Sequence, residues 1–163
     1  WNKMVKKKEL KYLGTLFLIF SFYTFYEISV AYLWSFVLLV CVSTDIGGYV
    51  FGKLFKGPKL TKISPNKTYS GVVGGFFLSI VSIYGFLNYF FFNIKFSAEL
   101  LIFIFLVSLV SQIGDILISY LKRLSNIKDT GKIIPGHGGL LDRIDGMIFA
   151  FPFAYLLLKT YLF

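Results

Sequence analysis

"AELLIFIFLVSLVSQIGDILISYL", residues 98–121, decides what kind of protein this is. The stretch is apolar almost throughout, with Glu99 at its start and Asp115 within it as its only charges. Its length is close to the ~20 residues a helix needs to cross the hydrocarbon of a bilayer. Four other blocks read the same way: 12–30, 32–51, 71–92 and 144–163. The composition agrees. The 163 residues are 56% hydrophobic and only 15% charged, where a soluble domain carries about a quarter charged residues. The fold class expected is an all-α integral membrane protein, a polytopic helical bundle of about five transmembrane helices joined by two polar loops.

Charge placement predicts the orientation. Lys3, Lys6, Lys7, Lys8 and Lys11 precede the first block. Lys53, Lys56, Lys59, Lys62 and Lys67 separate the second from the third. Lys122, Arg123, Lys128, Lys132 and Arg143 separate the fourth from the fifth. Of 17 basic residues only Lys95 and Lys159 fall elsewhere. With five spans, these three segments share one compartment, which the positive-inside rule makes the cytoplasm. The net charge of +9 is thereby explained by topology and anionic headgroups, so nucleic acid is not an expected partner. The single Cys41 sits mid-span, where it reads as a small hydrophobe. No small-residue cleavage site follows the first block, so a cleavable signal peptide is not expected. The chain begins at Trp1 rather than Met, and spans missing upstream are expected. It divides into an N-terminal transmembrane region, 1–42, and a catalytic transmembrane domain, 43–163. The second carries cytoplasmic loops at 52–71 and 122–143.

Ionisable groups inside a span are costly and face the protein interior or water. Glu27 lies at the far end of the first block and reads as an interfacial residue. Asp45, Asp115 and Asp145 lie toward the ends that carry the basic loops. In "SQIGDILISYLKR" (111–123), helical spacing puts Asp115, Ser119 and Lys122 on one face. In "HGGLLDRID" (137–145), Asp142 and Asp145 are three residues apart. Gly136, Gly138 and Gly139 allow close backbone approach, and such a turn can form an anion-binding nest. Taken singly, the first reads as a polar stripe with a juxtamembrane anchor. The second reads as a turn with a surface Asp142–Arg143 pair. Together they supply carboxylates for a hard divalent cation with Lys and Arg beside them. Mg²⁺ favours few carboxylates plus substrate phosphates, and phosphoryl or nucleotidyl transfer needs this kit. The residues alone predict an integral-membrane enzyme that joins a phosphorylated, water-soluble substrate to a lipid.

The stretch "SYLKRLSNIKDTGKIIPGHGGLLDRID" (119–145) resembles the signature of the phosphatidate cytidylyltransferases, or CDP-diacylglycerol synthases. Ser119, Lys122, Arg123, Lys128, Asp129, Gly131, Pro135, His137, Gly138, Gly139, Asp142, Arg143 and Asp145 stand in register with it. Upstream, "DIGGYVFGK" (45–53) and "ISPNKTYSGVVGG" (63–75) resemble two further family segments and place Asp45, Ser64, Lys67 and Thr68. The chain departs from the family at Ser70, where Glu or Gln is usual, and family members usually carry several more N-terminal spans.

The resemblance implies the reaction of CTP with phosphatidic acid to give CDP-diacylglycerol and pyrophosphate. It also implies Mg²⁺, a second cation such as K⁺, and a homodimer in the bacterial inner membrane with its site facing the cytoplasm. Asp115 and Asp142 are the implied metal ligands. On this reading Lys122, Arg123, Lys128 and Arg143 neutralise phosphate charge, and Ser119 contacts metal or phosphate. Asp145 and Asp129 orient the basic groups. Ser64, Lys67, Thr68, His137, Gly138 and Gly139 bind substrate. Two rivals use the same residues differently: a CTP-dependent polyprenol or phytol kinase, and a non-enzymatic transporter with Asp45 and Asp115 along an ion path.

Overall fold

The computed structural model describes residues 8–30, 33–61, 64, 67–90, 97–127, 130, 139 and 141–161. Its helices are α1 (Lys8–Val30), α2 (Trp34–Phe55), α3 (Tyr69–Phe90), α4 (Ala98–Leu124), α5 (Leu141–Ile144) and α6 (Met147–Tyr161). Helices α1 to α4 are each long and apolar enough to cross a membrane. The chain is a polytopic helical membrane protein. The block expected over 144–163 is a turn followed by a shorter apolar helix among the described residues. A turn at Asp145 and Gly146 separates the four-residue α5 from α6, which has 15 residues and an internal Pro152. At 1.5 Å per residue α6 covers about 22 Å, less than the ~30 Å hydrocarbon core. The turn sits where the chain meets α4: a Cβ on Gly146 would lie 2.8 Å from the Ser111 carbonyl oxygen.

Both polar loops are shorter than the sequence suggests. Helix α2 continues to Phe55 and α3 begins at Tyr69, so the first loop is 56–68 rather than 52–71. Helix α4 carries Lys122 and Arg123 in its last turn, where cations oppose the negative end of the helix dipole. At its other end the Ser97 hydroxyl accepts from the Leu100 N–H at 3.2 Å, a side-chain cap for one of the orphan donors of the first turn.

The outside of the bundle is apolar. On α4, Leu101, Ile102, Phe105, Ile113 and Leu117 are exposed, as a bilayer permits. The interior is narrow. Val37, Val40 and Cys41 of α2 pack with Ile83 of α3, Ile104 and Val107 of α4, and Ala150 and Ala154 of α6. Helix α1 lies along α6, with the Ser21 hydroxyl donating to the Ile148 carbonyl at 2.8 Å and Phe25 edge-on to Phe151. Helices α2 and α3 approach most closely. A Cβ on Gly47 would lie 2.5 Å from the Gly74 carbonyl oxygen, and one on Gly75 would lie 2.9 Å from that of Thr44. Small residues at such contacts let membrane helices touch through their backbones. The result is a rigid pair whose shared end carries the first polar loop.

Candidate functional site

The loop between α2 and α3 doubles back on itself. Lys56 adopts the left-handed conformation, φ 44°, and ends α2. Lys59 and Thr68 then pair as an antiparallel bridge, with the Leu60 N–H donating to the Lys67 carbonyl at 2.8 Å and the Tyr69 N–H to that of Pro58 at 3.1 Å. The Thr68 hydroxyl caps α3 by accepting from the Gly71 N–H at 3.1 Å and bonds the Ser70 hydroxyl at 3.0 Å. The Ser64 carbonyl accepts from the Lys67 N–H at 3.1 Å. These bonds fix the backbone from which the Lys67 side chain reaches α4. Its ammonium forms an ion pair with Asp115 and lies 3.5 Å from the Gln112 carbonyl oxygen.

A second cluster lies one to two turns further along α4. The Lys122 ammonium is 3.2 Å from Asp142 and 3.7 Å from Asp145. The other Asp142 oxygen accepts from the backbone N–H groups of Thr130 at 2.9 Å and Gly139 at 2.8 Å. Burial works against the charge on Asp142. Those two N–H groups and the Lys122 ammonium outweigh it and hold the carboxyl below its ordinary value. Asp145 goes the other way. Burial and the neighbouring Asp115 carboxylate push it up to about 7, against the pull of Lys122. Asp115 links the two clusters electrostatically: it pairs with Lys67, accepts from the Ser119 hydroxyl at 3.5 Å, and its charge raises Asp145.

Beside Asp115 the bundle opens into a cavity of about 280 Å³. Thr44, Asp45 and Tyr49 of α2 line one wall, Ser64, Lys67 and Thr68 of the loop another, and Gln112 and Asp115 of α4 a third. Ser64, Lys67, Thr68, Asp115, Ser119, Lys122, Asp142 and Asp145, all expected at the site, therefore gather around this cavity and the Lys122 cluster. Gly139 contributes a backbone donor to Asp142. Arg123 and Arg143 are exposed. Lys128, Asp129, His137 and Gly138 lie outside the described residues. Among the described residues no three His, Cys, Asp or Glu side chains converge as a metal-ligand group. Asp115 and Asp142 are held by Lys67 and Lys122 respectively.

Asp45 was visible in the sequence as an intramembrane acid without an assigned task. The structure puts it in the cavity wall. Gln112 went unnoticed, although a polar amide in an apolar block three residues before Asp115 is a usable signal. Its carbonyl receives Lys67, and its side-chain amide reaches the Ser108 hydroxyl at 3.5 Å. That hydroxyl bonds Thr44 at 2.7 Å and ties α4 to α2 behind the cavity.

Thr68→Val removes the cap that seats Lys67 while keeping the shape of the side chain. A lost N-cap costs about 1 kcal/mol, so the thermal midpoint in detergent should fall by a few degrees. Substrate affinity should fall with it, because the loop carrying Ser64 and Lys67 loosens. An unchanged midpoint and an unchanged KM would contradict this role for the cap.

Comparison with known proteins gives the family. The cytidylyltransferase family model matches residues 6–161. A protein of Rickettsia felis named phosphatidate cytidylyltransferase is 41% identical over 145 residues, covering 84% of this chain and 64% of that protein. Proteins of the same name from Staphylococcus saprophyticus and Bacillus subtilis are 44% and 42% identical over 124 and 131 residues. These matches cover 76% and 78% of this chain, and 47% and 48% of those proteins. The chain thus spans about half to two thirds of the length of the curated relatives it matches. With the match running through every described helix and both charged clusters, the chain belongs to the cytidylyltransferase family.

Proposed function

We propose that the chain carries the active site of a phosphatidate cytidylyltransferase, which makes CDP-diacylglycerol and pyrophosphate from CTP and phosphatidic acid. The observation that carries the reading is the pair of lysine–carboxylate clusters on either side of Asp115, set at the ends of membrane helices beside the cavity lined by Asp45, Lys67 and Asp115. A lipid phosphate and a water-soluble triphosphate can meet there, and few other reactions need both. The basic segments at this end support a cytoplasmic-facing site in a bacterial inner membrane, and the reading takes a homodimer as the working unit.

In the reaction a phosphate oxygen of phosphatidic acid attacks the α-phosphorus of CTP. A new P–O bond forms as the bond to the β,γ-pyrophosphate breaks. The attacking phosphate is largely ionised near neutral pH, so no strong general base is required. Lys67 and Lys122 leave their carboxylate partners in part to neutralise phosphate oxygens. Ser64 and Thr68 orient the phosphate held by Lys67. Asp145 keeps Lys122 aimed at the reacting centre, and Ser119 steadies Asp115. Arg123, Lys128 and Arg143 add positive charge around the triphosphate, with Asp129 orienting them, and His137, Gly138 and Gly139 contact phosphate.

The donor set fits Mg²⁺. It is made of oxygen ligands, and two ammonium groups face the four carboxyls of Asp45, Asp115, Asp142 and Asp145, an acidic surplus that suits a hard dication. Asp115 and Asp142 would hold it, and the same reading includes a second cation such as K⁺. Bound there, Mg²⁺ supplies charge neutralisation and orientation of the phosphates.

Pyrophosphate release by the purified chain in detergent tests the reading. Release is expected only when CTP, phosphatidic acid and Mg²⁺ are all present, and Asp142→Asn is expected to lower it on the order of a hundredfold. Release that ignores phosphatidic acid, or survives Asp142→Asn unchanged, would contradict it.

A further inference from the structure

On the other side of the α2–α3 pair lies a groove of about 540 Å³ that shares no lining residue with the catalytic cavity. Phe51 and Phe55 form one bank and Tyr69, Val73 and Phe77 the other, with Gly74 as the floor. The banks are open: Phe55 and Val73 are each 67% exposed. Helix α3 contributes no charged residue anywhere along its length. One end of the groove is different. The turn that ends α2 folds directly over it, with the Gly57 N–H donating to the Ser70 hydroxyl at 3.3 Å and the Pro58 carbonyl accepting from Tyr69. That turn carries Lys56 and Lys59, both exposed, and Lys59 is fixed there by its bridge to Thr68. The mouth is thus cationic and the body apolar, with the Tyr69 ring between them, a side chain that favours the membrane–water boundary.

We propose that this groove is a binding site for an anionic phospholipid of the bilayer, distinct from the substrate site. One acyl chain lies along the open face between Phe55 and Val73, over the Phe51–Phe77 ring contact, and the phosphate sits at Lys56 and Lys59. The chemistry that selects the ligand is a permanent negative charge at the headgroup joined to a hydrocarbon tail. Juxtamembrane lysines attract such headgroups, and the groove supplies the pocket that a bare charge patch lacks. A second copy of the chain fits less well. A two-fold contact through the same groove would bring Lys56 and Lys59 of each copy toward those of the other, with no acid on α3 to offset them. The inference is independent of the proposed reaction, because its readout is lipid contact rather than turnover.

The test uses the purified chain in phosphatidylcholine nanodiscs doped with phosphatidylglycerol bearing a photoreactive group in one acyl chain. After irradiation, adducts are mapped by mass spectrometry. They are expected on the α2 and α3 peptides that contain Phe51, Phe55 and Phe77. Labelling should fall on the order of tenfold when photoreactive phosphatidylcholine replaces phosphatidylglycerol, and by a similar factor in Lys56→Gln/Lys59→Gln. Val73→Trp, a change at an exposed lipid-facing position, should fill the groove and remove the adducts without lowering the thermal midpoint. Equal labelling by the two lipids, or labelling unmoved by the lysine changes, would overturn the proposal. So would a halving of particle mass in Val73→Trp, which would show that a second copy occupies the groove.

Discussion

Lys122→Met is expected to abolish turnover almost completely and to destabilise the protein as well. The Lys122 ammonium lies against both Asp142 and Asp145, at 3.2 and 3.7 Å. Its side chain is 12% exposed and theirs are 10% and 14% exposed, so water compensates little for its loss. Methionine keeps the length and the apolar stem but leaves two carboxyls without their counter-charge. Removing one partner of a buried ion pair costs about 3–5 kcal/mol, most of it the cost of the stranded charge. Turnover should drop on the order of 10²–10³-fold, the usual consequence of losing a group aimed at developing phosphate charge. A second variant separates the two effects. Lys122→Met/Asp142→Asn removes one stranded charge and should recover part of the thermal midpoint, yet remain inactive. Recovery of activity in that double variant would mean that Lys122 serves only to neutralise Asp142.

The second large effect belongs to the α2–α3 contact. Gly47→Ala adds one methyl group at a point where the Gly74 carbonyl oxygen would lie 2.5 Å away and the Gly75 Cα 2.9 Å away. Both obstacles are backbone, so no side chain can rotate aside and the helices must separate. Overpacking of this kind costs about 1–3 kcal/mol. Function should suffer as well, because α2 carries Asp45 and Tyr49 and the α3 end carries Thr68. A shift between the helices therefore moves two walls of the cavity. The chain contains its own control. A Cβ on Gly85, in the same α3, meets nothing within 4 Å, so Gly85→Ala should be neutral or stabilise by a few tenths of a kcal/mol through helix propensity. Equal thermal midpoints for Gly47→Ala and Gly85→Ala would refute the close-packing explanation.

Much of this architecture was legible in the sequence. Blocks two to four became helices close to the expected limits, because a bilayer demands continuous apolar helix and little else satisfies it. The Asp115–Ser119–Lys122 stripe was legible for a similar reason: helical spacing alone brings those residues to one face. In the fifth block hydropathy does not register the turn at Asp145 and Gly146, which packs against Ser111 of another helix. The partner of Asp115 was also hidden. Lys67 lies 48 positions away in sequence, and only the bridge between Lys59 and Thr68 and the cap on α3 aim it at α4.

The most direct test of the central claim follows the phosphorus. The chain is supplied with Mg²⁺, phosphatidic acid and CTP labelled either at the α- or at the γ-phosphate, and the lipid is extracted. Label in the lipid from α-labelled CTP and none from γ-labelled CTP is the expected result, because cytidylyl transfer carries the α-phosphorus into CDP-diacylglycerol. The contradicting result is the reverse pattern, with a lipid alcohol as acceptor: γ-label in the lipid and CDP in the water phase. The two lysine–carboxylate clusters would then belong to a phosphoryl-transfer site.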